Sequence, residues 1–320
     1  MKSKFTSGLV GLALAVCAVV PAASSNTGYP DFPGASPSAV QTLIQEARDS
    51  RSSANRPAAA PAVPTGVDEN LVMGNPSNAA ATPDAKDNFL MRKTEYTLSY
   101  NNSAGTPNWV SWHLNASWLG TAGRQNNFRP DTDVPQGWLQ VVPAEYENTG
   151  FDKGHMCNSK DRTRDTASNS ATFLMTNMVP QSPKNNEHTW EGLEQYSRVL
   201  ASKGDELYIV SGPWGKGGEG SKGKMDTLTV KRGAVNAEIV VPAFTWKVIL
   251  ILPQGKTSPA DVTKDAKTLA VIMPNTQEID LDWKKYITTV AKVEELTHFK
   301  FFSEVAPAVA AEIDQQTYAP

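Results

Sequence analysis

Gly-Phe-Asp-Lys-Gly-His-Met-Cys-Asn-Ser-Lys-Asp-Arg-Thr-Arg, residues 150–164, carries one candidate general base, His155. Around it Lys153, Lys160, Arg162 and Arg164 outnumber Asp152 and Asp161. An imidazole beside cations suits attack by water on an anionic ester, because the base takes the proton and the cations hold the phosphate. Phosphodiester hydrolysis is therefore the first expectation, with Lys153 and Arg162 as phosphate-binding side chains.

The flanking chain suggests how the histidine is held. Asp152 to Cys157 reads as a strand ending in the polar turn Asn158 to Asp161, and Phe173 to Val179 reads as a second, buried strand. Pro180 and Pro183 punctuate its exit. A helix then starts at Asn185 or Asn186 and runs to Lys203, with Trp190, Leu193, Tyr196, Val199 and Leu200 on its apolar face. On an α-helix rising about 1.5 Å per residue, Asn186 and Glu194 stand about 12 Å apart along the axis, too far for both to ligate one small ion directly.

Several separated motifs occur in a fixed order: Trp109-Val-Ser-Trp112, Arg124-Gln-Asn-Asn-Phe-Arg-Pro-Asp131, Asp152-Lys-Gly-His155, Thr176-Asn-Met-Val-Pro-Gln181, Asn186, Trp190, Glu194 and Trp246-Lys-Val248. Together, over residues 88–302, they resemble the DNA/RNA non-specific endonucleases, metal-dependent nucleases built around a ββα-metal (His-Me finger) site. The order of strand, strand and helix around one His and one Asn fits that site. The resemblance implies that His155 deprotonates the attacking water and that Asn186 is the sole protein ligand of one divalent cation. It further implies that Glu194 acts through water on that cation, while Arg124 stabilises the charge built up on phosphorus. The forked donors of an arginine suit two phosphate oxygens.

Mg²⁺ suits a site with one protein oxygen because it keeps several waters, and Mn²⁺ can replace it. Asp152 has a supporting role, either positioning those waters or binding backbone amides. The implied substrates are DNA and RNA, single- or double-stranded, cut to 5′-phosphorylated products, since phosphate contacts carry no sequence information. One departure stands out: the commonest motif is Asp-Arg-Gly-His, and Lys153 occupies the arginine's place. Lysine keeps the charge and loses the fork, so a changed rate or substrate preference is expected rather than loss of binding. Two other readings remain open: a nucleic-acid-binding protein with an impaired site, and a phosphodiesterase acting on small nucleotides. Binding alone needs neither a base nor a metal ligand, which counts against the first.

The ends of the chain read differently from its middle. Lys2 and Lys4 precede an apolar run from Gly8 to Val20, followed by small residues, so residues 1–23 are expected to be a cleaved export signal. A secreted or periplasmic protein with no membrane segment in its mature form follows, and a protein inhibitor in the producing cell is an expected partner. Removal of the signal takes Cys17 with it and leaves Cys157 alone, so no internal disulfide forms and stability comes from the core. Residues 24–85 are rich in Pro, Ala and Ser, with nine prolines between Pro21 and Pro83, and read as a linker with one short helix at residues 36–47. The net charge of -3 places any nucleic-acid binding in local patches. No heptad or apolar stripe argues for a particular oligomer.

The catalytic domain is expected over residues 86–304 and a tail over 305–320. Tyr96, Leu98 and Tyr100 alternate as in a half-buried strand, and Trp109 to Leu114 and Trp138 to Val142 read as strands. Glu206 to Ser211, Leu228 to Lys231, Glu238 to Val241, Thr245 to Leu252 and Thr268 to Met273 are apolar or alternating runs rich in Val and Ile. They predict an α+β fold with a mainly antiparallel central sheet flanked by helices, the ββα finger being embedded in it. Gly212 to Lys224, with six glycines and three lysines, reads as a loop. His113, His298 and Cys157 are expected to be structural, His188 to lie on the surface, and Arg129 is an outside candidate for the site.

Overall fold

The computed structural model describes residues 68–320. The expected export signal and the short helix at residues 36–47 lie outside that range. The strands are β1 (Phe89–Arg92), β2 (Thr97–Asn101), β3 (Thr106–Leu114), β4 (Asp152–His155), β5 (Met178–Gln181), β6 (Glu206–Trp214), β7 (Gly218–Gly220), β8 (Gly223–Met225), β9 (Thr227–Arg232), β10 (Val235–Val240), β11 (Phe244–Leu252), β12 (Lys267–Pro274) and β13 (Ile287–Thr288). The α-helices are α1 (Thr166–Ala171), α2 (Glu191–Ser202), α3 (Val290–Thr297) and α4 (Pro307–Ile313).

Seven strands, in the order β1-β2-β3-β6-β11-β12-β13, form one antiparallel sheet. Both of its faces are covered, so all nine residues of β11 are buried, the apolar run 248–252 among them. Trp246, Val248 and Leu250 point into a core shared with Val290, Val293 and Leu296 of α3. Ile249 and Ile251 point the other way, into a core shared with Trp112, Trp190 and Leu193, and so meet α2. A third cluster, which includes Leu139, Tyr146, Phe151, Met178, Leu228 and Ile239, fastens the β9–β10 hairpin to the finger strands β4 and β5. No helix among the described residues is long and apolar enough to cross a membrane.

The structure corrects the expected boundaries at both ends. Residues 68–85 belong to the folded domain, because β2 is buried on both faces and its polar face needs partners. Thr97 donates to Asp68 at 2.8 Å, while Ser111 of β3 donates to the Asn70 carbonyl at 2.5 Å and Trp109 Nε1 of β3 to Ser77 at 2.8 Å. At the other end, residues 305–320 are not a free tail. Val305, Ala310 and Ile313 join the α3 core, and Thr268 donates to the Ile313 carbonyl at 2.8 Å.

Three local expectations also change. Trp138 to Val142 is irregular rather than a strand, its backbone being held by side chains: Tyr100 donates to the Leu139 carbonyl at 2.6 Å and Leu139 N–H donates to Asn102 at 2.7 Å. The stretch before β5 is a 3-10 turn, Met175–Asn177, rather than an extended strand. Residues 212–224 are the end of β6 and the β7–β8 hairpin, whose Ser221 N–H donates to the Gly150 carbonyl at 2.9 Å next to the finger.

Ile313 is fully buried, so Ile313→Ala should lower unfolding stability by about 2–5 kcal/mol. Urea denaturation measures it, and a loss under about 0.5 kcal/mol, as for a surface position, would contradict the docking of α4.

Candidate active site

β4 and β5 pair antiparallel, with His155 opposite Met178 and Asp152 opposite Gln181. Gly154 permits this pairing to pack tightly, since a Cβ there would lie 2.2 Å from Gln181 Oε1 and 2.6 Å from its Cβ. Beyond His155 the backbone is locked by Asn177, whose Oδ1 accepts from Cys157 N–H at 2.9 Å and whose Nδ2 donates to the carbonyls of Cys157 and Thr172, each at 2.9 Å. The helix that follows is wound as a π-helix over Asn185–Trp190 before it becomes α2. This wider winding shortens the rise per residue, so the all-α estimate of the Asn186 to Glu194 separation no longer applies. Val199, expected on the buried face of the helix, is 41% exposed; Glu194, Ser197 and Ala201 face inward instead.

His155 is buried, with its ring 5.0 Å from Phe173 and 5.5 Å from Phe128 between centroids. Its Nε2 has no hydrogen-bond partner among the described residues. Burial first, and the nearby Arg124 charge second, pull its pKa from 6.5 down to about 3, so the imidazole is neutral at physiological pH. A tautomer protonated at Nδ1 leaves the Nε2 lone pair able to take a proton. Phe173 also carries Arg124, whose guanidinium carbon lies 4.9 Å from the ring centroid. Arg124 Nε donates to Asn126 at 2.8 Å and Nη1 to Ser159 at 2.9 Å, while no such bond engages Nη2 among the described residues. Lys153 places its ammonium 5.1 Å from the centroid of Phe128, on the ring that also meets His155.

At the other end of β4, Asn186 Nδ2 donates to Asp152 Oδ2 at 2.9 Å. A carboxylate can only accept, so this bond fixes the amide orientation and makes Oδ1 the oxygen that Asn186 can offer elsewhere. Asp152 thus bonds a side-chain amide rather than backbone amides. Glu194 is buried, its Oε2 accepting from Asn158 Nδ2 and its Oε1 lying 3.8 Å from the Lys247 ammonium. Burial pushes its pKa above the usual carboxylate range, against the attraction of Lys247. The finger loop, the helix and β11 therefore meet at this carboxylate.

Arg162 does not belong to this group. It is fully buried and 4.0 Å from the Trp118 ring centroid, and its donors bind the carbonyls of Glu95, His113 and Asp161. A guanidinium so engaged has no free edge for a phosphate, which corrects the role expected for it. Arg129 likewise donates to the Asn127 and Ser170 carbonyls and ties the loop to α1. His113 is structural, 2.8 Å from Glu206, and Cys157 is buried with its thiol pushed far toward the neutral form. His188 is exposed.

The model of the DNA/RNA non-specific endonuclease family matches residues 74–308. The chain belongs to the DNA/RNA non-specific endonuclease family. It is 45% identical over 250 residues to a nuclease of Nostoc sp., covering 78% of this chain and 86% of that one. It is 33% identical over 227 residues to Nuclease C1 of Cunninghamella echinulata var. echinulata, covering 68% and 84%. Among solved structures, an EndoG/EndoGI complex aligns with a TM-score of 0.59 at 24% identity, covering 77% of this chain and 95% of that one, and shares its fold. The protein is thus a nuclease of a family that depends on divalent metal, with an α+β fold as expected.

Asn158, Asn177, Phe128 and Phe173 were not singled out by the sequence reading. Asn177 stands in the stretch 176–181 and Asn158 in the turn after β4, and neither spacing nor composition distinguishes a buried buttress from a solvated amide.

The neutral state of His155 has a consequence for stability. Above pH 6.5 it is uncharged both folded and unfolded and contributes nothing; below that, the unfolded chain binds a proton that the folded one refuses until about pH 3, so stability falls through this window. His155→Gln removes the site of uptake. Between about pH 7.5 and 4.5, wild-type stability should fall relative to this variant by up to about 1.4 kcal/mol per pH unit below the unfolded pKa. Parallel curves in urea denaturation would contradict a depressed His155.

Proposed function

We propose that this protein is an exported, Mg²⁺-dependent, sugar-non-specific endonuclease that hydrolyses single- and double-stranded DNA and RNA to 5′-phosphorylated products. The observation that carries the reading is a buried imidazole, unbonded at Nε2 among the described residues, on the same aromatic pair as the Arg124 and Lys153 cations. A base and anion-binding groups are thereby held on one rigid support, as in-line attack on a phosphodiester requires.

The residues present fit a hard divalent ion. Asn186 offers Oδ1, its amide nitrogen being tied to Asp152, and the Asp152 carboxylate beside it is a further hard oxygen rather than a soft donor. Asn186 would hold the ion, with Asp152 orienting the Asn186 amide. When bound, Mg²⁺ would supply positive charge to offset the negative charge that builds up at the phosphate and the leaving group.

His155 takes the proton of the attacking water at Nε2, which has no other partner among the described residues. Arg124 directs Nη2 at the phosphate as charge builds on it, its other donors fixing the guanidinium plane. Lys153 adds a point charge seated on Phe128, in place of a fork. Glu194, held by Asn158, orients water for protonation of the leaving oxygen. None of these groups reads a base, which supports action on both sugars.

Export is supported by the charged and apolar start of the chain, Lys2 and Lys4 followed by Gly8 to Val20. A protein inhibitor is proposed as a partner, because a non-specific nuclease endangers the cell that makes it. The solved EndoG neighbour is held in such an inhibitory complex.

Supercoiled plasmid and ribosomal RNA, incubated with the protein lacking residues 1–23, test the proposal. Both should be degraded with Mg²⁺ and preserved by chelator, with 5′-phosphate at the new ends. His155→Ala should cut at least about 100-fold more slowly, and Lys153→Arg should stay active with an altered preference or rate. Binding without cleavage under every metal condition would overturn the proposal.

A further inference from the structure

Lys247 is the only charged residue of β11 and is 1% exposed. Its ammonium lies 4.1 Å from the centroid of Trp190 and 5.6 Å from that of Trp112, a box formed by the helix on one side and β3 on the other. An ammonium taken out of water is costly unless it is compensated. The two aromatic faces compensate part of that cost, and the carboxylate of Glu194, 3.8 Å away through Oε1, supplies the opposite charge.

The other charges around Glu194 are already committed. Asp161 accepts from Arg198 Nη1 at 3.1 Å and from Trp112 Nε1 at 3.1 Å, and Arg198 also lies 3.7 Å from Glu191. Arg124 also feels the Glu194 charge, while its Nε and Nη1 donors are taken by Asn126 and Ser159. Asn158 holds Oε2, so Lys247 is the group set against the remaining oxygen, which has no hydrogen bond among the described residues. A buried pair of this kind adds little net stability compared with apolar side chains of the same volume, so fastening the helix to the sheet does not require it.

We propose that Lys247 is a positioning residue, which holds the Glu194 carboxylate charged and correctly placed for the reaction from behind the site. This rests on the role given to Glu194 above. Burial pushes Glu194 toward its neutral form and Lys247 toward its own, and each opposes that push on the other. Without the ammonium, Glu194 would take up a proton at a higher pH and lose its grip on water.

The test reads Glu194 directly. Its side-chain carboxyl carbon is followed by NMR against pH in the metal-free protein and assigned by comparison with Glu194→Gln. Lys247→Met should raise the titration midpoint by at least about one pH unit, and Lys247→Arg should leave it near the wild-type position. The acid limb of the nuclease pH profile should move with it, so that the loss of kcat in Lys247→Met shrinks as pH rises. In a Glu194→Gln background, Lys247→Met should cost no further activity.

An unchanged midpoint in Lys247→Met, or an equal loss of activity with and without Glu194, would overturn the proposal. If the Lys247→Met chain does not fold, the doubly neutral variant, which buries no lone charge, and Lys247→Arg decide the matter. A double variant far below Glu194→Gln, or an arginine variant with a displaced midpoint, then overturns it. Wild-type cleavage by Glu194→Gln alone would instead remove Glu194 from the proposed mechanism, while the titration still reads the coupling to Lys247.

Discussion

The close packing of Gly154 against the Gln181 side chain sets the geometry on which the site is built. With any Cβ at that position, β4 and β5 would separate, and His155 and Asp152 would move apart from the groups they meet. Asn177 then locks the turn after His155 through three hydrogen bonds, all inside the protein. The finger is therefore held by backbone and amide contacts. Its two chemical ends, the imidazole on Phe128 and Phe173 and the Asn186–Asp152 pair, are fixed by separate partners.

Burial tunes the charges on this frame. It keeps His155 neutral, whereas it raises the cost of an ionised Glu194 and makes Lys247 matter. The same physics separates the cations that can meet a phosphate from those that cannot. Arg124 and Lys153 stand on aromatic rings with donors to spare, while Arg162 has turned inward to satisfy three carbonyl oxygens. A guanidinium in that position acts as a clasp between the finger loop, β3 and the turn before β2.

The placement of the candidate residues was legible because they are close in sequence and differ in kind: one histidine ending a strand, one asparagine near the start of a helix, and a glutamate further along it. The antiparallel sheet was legible in the Val- and Ile-rich runs of β11 and β12. Arg162 was misread because the letters Asp-Arg-Thr-Arg do not say which cation will find the Glu95 and His113 carbonyls, residues distant in sequence. The docked ends were missed for a related reason. Ala-Val-Ala-Ala is a weak apolar signal until α3 is beside it, and Pro-rich composition hid the Asp68 and Asn70 side chains that meet the polar groups of β2 and β3. The winding of the helix at Asn185–Trp190 also left no mark in the hydrophobic period.

The central claim is that Asn186, oriented by Asp152, is what this chain offers a divalent ion. Mn²⁺ binding followed by electron paramagnetic resonance, on the wild-type protein and on Asn186→Ala, tests it without reference to turnover. The account predicts one bound ion per wild-type chain, and its loss in Asn186→Ala with the fold intact. Equal occupancy and affinity in the two proteins would contradict it and move the metal to other oxygens of the site.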